Sequence, residues 1–194
     1  MPSLFTLVTT LALSGLVLFT APARANAQIY FNRNAWQAVT VLRVDRDFNH
    51  LPDAQQIPLT SPYLEQGVSF SATNNYLYSW GPAGCCSGRD AFGTGGSWLI
   101  GPWNNGSFEV KFPPNTTSIG FDLAAYNGYP PAFAASIRMK SGQHVETDLV
   151  PDKGGHLFWG YTSYTDPIAS ITITSRNGNN VVLDNVSTGT FIGP

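Results

Sequence analysis

The chain reads as all-β, a single β-sandwich of jelly-roll type with one short N-terminal helix. Three observations predict this. Among 194 residues there are 19 Gly and 14 Pro, and 13% are aromatic, the composition of short strands joined by long turns. From Ser107 to Phe112 the residues alternate, with Phe108, Val110 and Phe112 on one face and Glu109 and Lys111 on the other, the period of a half-buried strand. Turn signals then recur at short, regular intervals, which indicates an antiparallel sandwich and not a parallel α/β sheet.

Taken in order, the first segment runs from Leu4 to Phe19 without a charge and reaches Ala-Pro-Ala-Arg-Ala-Asn-Ala at 21–27. Small residues at alternate positions there fit a signal-peptidase site. Residues 1–27 are therefore expected to be a signal peptide and 28–194 one exported domain, large enough to bury a core. Arg33 to Val39 is the one helical stretch. From about Ala72 to Gly106 periodicity gives way to Gly, Asn and rings, so a long decorated loop region with one or two short strands is expected. Further strands read as Ser118 to Ala125, Ala135 to Met139, His144 to Val150, Leu157 to Thr162, Ile168 to Ser175 and Val181 to Phe191. The turns between them carry Asn127-Gly128, Ser141-Gly142, Gly154-Gly155, Asp166-Pro167 and Asn177-Gly178.

Charge excludes some partners. Ten Lys and Arg face twelve Asp and Glu, a net −2 with only 11% of residues charged. No basic cluster exists to displace counterions from nucleic acid. After residue 27 no apolar run approaches membrane-spanning length.

Several segments in consistent order resemble a family of bacterial secreted β-sandwich proteins that often carry PEP-CTERM sorting tails. They are Phe31-Asn32-Arg33-Asn34-Ala35-Trp36, Asp47 through Asp53, Gln66 through Phe70, Thr117 through Leu123, Phe158 through Ser163 and Val182 through Val186. The resemblance implies a lectin-like or carbohydrate-binding-module-like jelly roll, exported to the envelope or matrix and usually without demonstrated activity, with a polysaccharide-active enzyme as the lesser reading. The Pro-Glu-Pro motif and apolar tail are absent, so free secretion is the expectation. In many carbohydrate-binding jelly rolls, a structural calcium is clasped between acidic residues of the first strand and an Asp of the last. By that resemblance Asp47, Asn49 and Asp184 share an ion; no other cofactor is expected. Asp45 through Asp53 also spaces oxygen donors as short calcium loops do, but His50 and Gln56 stand where such a loop uses Gly and a bidentate carboxylate.

Ligand class is indicated by the aromatic inventory. Sugars present apolar C–H faces ringed by hydroxyls, so their sites combine flat rings with amides or carboxylates. Trp80, Trp103 with Asn104, Tyr126 and Tyr129 supply that mixture in Gly-, Pro- and Asn-rich surroundings, and Asp90 adds a carboxylate. A polysaccharide or cell-surface glycan is the expected partner, with a structural matrix or adhesion role as the alternative. Trp98 and Trp159, among aliphatic and aromatic neighbours, read as core. Glu146-Thr147-Asp148 is the nearest local pair of carboxylates, yet it lacks a third acidic neighbour, and the three histidines have no metal-ligand spacing. No catalytic residue is expected.

Cys85 and Cys86 are the only cysteines and are adjacent. Disulfides prefer Cα atoms about 4.4–6.8 Å apart, whereas chain neighbours lie about 3.8 Å apart when trans. A bridge between them would close a strained eight-membered ring in a Gly-rich turn. Reduced thiols and bridges to another chain are the two alternatives.

Overall fold

A computed structural model describes residues 27–51, 57–73, 77–80, 98–101, 106–125, 133–150, 156–176, 178 and 180–193. The first strands are β1 (Ala27–Tyr30), β2 (Thr40–Arg46), β3 (Ile57–Leu59), β4 (Tyr63–Glu65) and β5 (Val68–Ala72), with helix α1 (Arg33–Ala38) after β1. Next come β6 (Leu77–Trp80), β7 (Trp98–Ile100), β8 (Ser107–Lys111), β9 (Ser118–Ala125) and β10 (Phe133–Met139). The last are β11 (His144–Leu149), β12 (His156–Ser163), β13 (Ile168–Ser175) and β14 (Val181–Phe191). The strands read from sequence in the second half fall within two residues of these bounds.

Two antiparallel sheets form the sandwich. One has eight strands in the order β1-β12-β9-β14-β7-β6-β3, with β2 also paired to β14; the other has six, ordered β11-β10-β13-β8-β5-β4. On the inner faces alternation delivers Ile119, Phe121 and Leu123 from β9, and Phe133, Ala135 and Ile137 from β10. Ile171 and Ile173 from β13 and Phe108 and Val110 from β8 complete the middle of the core. Trp159 stacks on Tyr161 with ring centroids 5.9 Å apart, and Phe70 meets Phe48 at 5.5 Å. Such rings each remove a large apolar area from water and hold the sheets together.

Phe48 is fully buried although it lies just past the end of β2, at a φ of 55°. The hairpin β4–β5 turns through Gln66 and Gly67, both at positive φ (44° and 82°) with Glu65 opposite Val68. A two-residue loop of that hand matches the strand twist. Its carbonyls are held by Arg46, almost wholly buried at 3% exposure. Arg46 donates from Nε to the Glu65 carbonyl at 3.0 Å and from Nη2 to that of Gln66 at 2.8 Å, and Nη1 reaches Thr188 Oγ1 at 3.1 Å. One guanidinium thus staples β2 and β14 of the larger sheet to the hairpin of the smaller.

The two outer faces differ. On the larger sheet Gly120 of β9 lies opposite Gly160 of β12, and the indole of Trp36 from α1 fills the space their missing side chains leave. Over β9 and β12 that face is covered by the helix. The outer face of the smaller sheet carries Ser170, Thr172 and Thr174 from β13 between polar and charged residues of β10 and β8.

Candidate functional site

A connected polar cluster lies where α1 meets β9 and β14. Asn32 caps the helix, its Oδ1 accepting from the Ala35 N–H at 3.0 Å, as a capping amide does. That start fixes Arg33, whose guanidinium lies 4.5 Å from the Phe158 ring centroid and 3.0 Å from Asp122 Oδ2. Arg33 also donates to the Asn185 carbonyl at 3.2 Å and to Ser187 Oγ at 3.3 Å.

On β14 the register against β9 slips by one residue. Asp184 faces Asp122 and Ser187 faces Gly120, which leaves Asn185 as an extra residue at φ 48°. Such a bulge re-aims the side chains beside it. Asn185 Nδ2 donates to Asp122 Oδ2 at 2.7 Å, and the Asn185 N–H donates to Asp184 Oδ1 at 2.7 Å. Asp184 is 2% exposed. Burial pushes its pKa up to about 7; the carboxylates of Asp122 and Asp47 push the same way, while the Asn185 N–H and Arg33 oppose them. Sequence reading missed Arg33 and Asp122 as members. The available signal was an Asp on each of two strands whose outward neighbours, Gly120 and Ala124 on β9, are too small to face water usefully.

Of the three expected calcium ligands, Asp47 and Asp184 come within electrostatic reach of one another, since the Asp47 carboxylate helps to raise the pKa of Asp184. This happens because β2 ends at Arg46, opposite Val186, and Asp47 follows directly. The Asn49 N–H donates to Asp47 Oδ1 at 3.1 Å. Among the described residues no three Asp, Glu, His or Cys side chains are placed to hold a metal. Asp47 and Asp122 each act on Asp184 through space, without closing into a coordination set among the described residues.

Trp80 is the last residue of β6, opposite Trp98 in register, and is 8% exposed. It therefore belongs to a strand and is covered, in place of the open loop ring expected of it. Trp159, expected in the core, is there at 0% exposure. Asp90, Trp103, Asn104, Tyr126 and Tyr129, with Cys85 and Cys86, lie outside the described residues. The strand ends that flank two of these segments are described. Ala125, before Tyr126, pairs with Val181, and the Gly101 N–H, before Trp103, donates to the Val181 carbonyl at 2.8 Å. Gly101 and Ala125, described residues shortly before those segments, thus flank one residue, Val181.

Glu146 and Asp148 are exposed on the outward face of β11, and Asp148 is paired with Arg176 at 2.7 Å. They form no enclosed acid pair of the kind glycoside hydrolysis uses. Among the described residues no helix is long and apolar enough to cross a membrane.

No protein-family model and no curated protein matches the chain. Solved structures do resemble it in fold. The cleaved K2 adhesin domain of Lys-gingipain aligns over 78% of this chain and 99% of its own, with a TM-score of 0.48 at 11% identity. The carbohydrate-binding module TmCBM61, solved with β-1,4-galactotriose, covers 75% and 99% with a TM-score of 0.42 at 14% identity. A point mutant of the family 29 carbohydrate-binding module CBM29-2, complexed with cellulohexaose, covers 79% and 99% with a TM-score of 0.41 at 14% identity.

Proposed function

We propose that the chain is an exported, non-catalytic protein that binds polysaccharide through the aromatic and amide side chains of its end loops. The observation that supports this most directly is the flanking of Val181 by Gly101 and Ala125. Gly101 and Ala125 come shortly before two stretches that each mix rings with amides, Trp103-Asn104 and Tyr126 with Tyr129. Loops on a rigid sandwich are where binding side chains concentrate. With Trp36 covering the larger sheet over Gly120 and Gly160, the end at Val181 is the better platform for a sugar ring. Trp80, covered in β6, is left out of the contact set.

The test is affinity electrophoresis on immobilised galactan, xylan and mannan with the Trp103→Ala/Tyr129→Ala double variant. Retardation of the wild type, weakened about tenfold or more in the variant as stacking losses of ~1.5 kcal/mol predict, supports the reading. Retardation unchanged in the variant overturns the loop assignment, and release of reducing sugar overturns the non-catalytic one.

Calcium between Asp47 and Asp184 is a second proposal, favoured by the electrostatic coupling of those carboxylates. Oxygen donors of this kind suit a hard cation. A melting temperature that rises with millimolar calcium in the wild type and not in Asp184→Asn supports it; a wild-type melting temperature unmoved by calcium sinks it.

A further inference from the structure

A cavity of about 410 Å³ opens on the outer face of the smaller sheet, lined by Lys111, Phe112, Arg138, Met139, Lys140 and Ser170 together with Glu109 and Ala169. It lies at the end of β10 and β8 opposite the end at Val181, so it is separate from that platform. Its size is that of an ordinary small-ligand cleft.

Its construction follows from strand register. Arg138 of β10 lies opposite Ser170 of β13, and Ser170 lies opposite Lys111 of β8. A small residue on the middle strand between two long cations makes a trough. The next positions along β13, Thr172 and Thr174, continue it as a line of hydroxyls. At the cavity the ladder is also broken: Arg138 pairs with Ser170 but Met139 pairs with Ile168, so Ala169 is bulged out. Bulges commonly sit where a strand must open beside a site. Phe112 and Met139, both nearly buried, give the cavity apolar surface beneath the charges.

Charge placement is the unusual part. The chain is net negative and has ten Lys and Arg in all, yet three of them line this one cavity. Lys111 is tied to Glu109 at 3.3 Å. Among the described residues Arg33, Arg43 and Arg176 hold carboxylates and Arg46 holds carbonyls, whereas Arg138 and Lys140 are exposed with no carboxylate partner. The nearby Asp166 carboxylate is engaged by Ser141. Two uncompensated cations therefore face a cleft that also offers hydroxyls and apolar surface.

We infer that this cleft binds the anionic group of an acidic polysaccharide, a carboxylate or sulfate on a sugar ring, with Arg138 and Lys140 as the charge partners and the Ser170–Thr174 row meeting sugar hydroxyls. Arg supplies a forked donor for a planar carboxylate and Lys a point charge. The inference rests on the polysaccharide-binding reading and adds the chemical class of the polymer and a second contact surface.

The experiment compares polygalacturonate (carboxylate), carrageenan (sulfate) and neutral galactan as polymers, with inorganic phosphate as a free anion. Wild type, Arg138→Gln/Lys140→Gln and Trp103→Ala/Tyr129→Ala are each tested by affinity electrophoresis at low and high salt. The expected result is binding to one or both acidic polymers that weakens steeply with salt and falls at least tenfold in Arg138→Gln/Lys140→Gln. Because both side chains are exposed, the variant should melt as the wild type does. Acidic-polymer binding that survives that variant overturns the inference. So does stabilisation by inorganic phosphate without polymer binding. Binding of neutral galactan alone overturns it while leaving the loop reading intact. Acidic binding lost in the charge variant and kept in the loop variant upholds it and removes the loops, and no binding to any polymer removes both.

Discussion

A Cβ placed on Gly160 would lie 2.7 Å from Cδ1 of Trp36, so the docking of α1 depends on an absent side chain on the strand beneath it. Gly160→Ala must push the indole away or bend β12. The expected cost is about 1–3 kcal/mol of overpacking, read as a lower melting temperature and a red shift in tryptophan emission. Gly142→Ala is the control. It sits at φ 91° with nothing within 4 Å, so the change should cost only the left-handed backbone penalty, about 1 kcal/mol, and leave the emission unchanged.

Asp184 sets a pH dependence. Its folded pKa of about 7 lies above the ordinary 3.8, so the folded state holds a proton that the unfolded chain releases near pH 4. The stability from that proton is full below about pH 4 and is lost as pH rises through about 7. Urea titrations in chelator should show wild-type stability falling across that window by roughly a few kcal/mol. Asp184→Asn should flatten the slope and be the more stable protein at pH 8. A slope unchanged in Asp184→Asn would place the proton elsewhere.

Arg33 opposes the proton on Asp184. Arg33→Met should therefore move the midpoint of that pH dependence upward. It should also cost about 1–2 kcal/mol at neutral pH, from the lost charge-assisted bonds to Asp122 and the Asn185 carbonyl and the lost contact with Phe158. Comparison of the two pH profiles separates the electrostatic part from the packing part.

Replacing Arg46 should loosen the hairpin. Arg46→Met fills the same space but abandons the Glu65 and Gln66 carbonyls and Thr188 Oγ1, at an expected cost of about 2–4 kcal/mol in urea unfolding. Arg46→Lys should recover only part of it, since one ammonium cannot span carbonyls that the fork reaches together. Equal stability of Arg46→Lys and the wild type would show that the fork geometry is unimportant.

The strands after residue 107 were legible because β8 and β10 alternate and the turns between strands carry Pro, Gly or Asn; β8 and β13 were read almost to the residue. The first half was not. There β2 carries exposed Val41, Leu42 and Val44, so its pattern lacks a polar face, and its partner β14 lies about 140 positions away. Pairing at that separation leaves no local trace. The Asp184 cluster was half legible: Asp47 and Asp184 followed from a resemblance, while Arg33 and Asp122 required knowing that α1 lies over β9. Trp80 misled because its flanking Gly and Pro belong to the next segment, while its own position completes β6. The cationic cleft had little linear signal, since Arg138 and Lys140 are local neighbours but Lys111 joins them only through the β8-β13-β10 register.

Strand β14 is shared on one edge by β9 and on the other by β7 and then β2, through Val182 to Ile100 and Val186 to Arg46. It is the seam on which the larger sheet closes. Strands β1 and β2, near the start of the described chain, find their partners only in β12 and β14, near its end. Most of the loop-closure entropy must be overcome before those pairings form, which makes for slow folding. A ribosome-bound chain holds β2 with an open edge and α1 with no floor for Trp36. Productive folding waits for the segment 181–191, so a polypeptide of this topology takes its shape only once nearly all of it has been made.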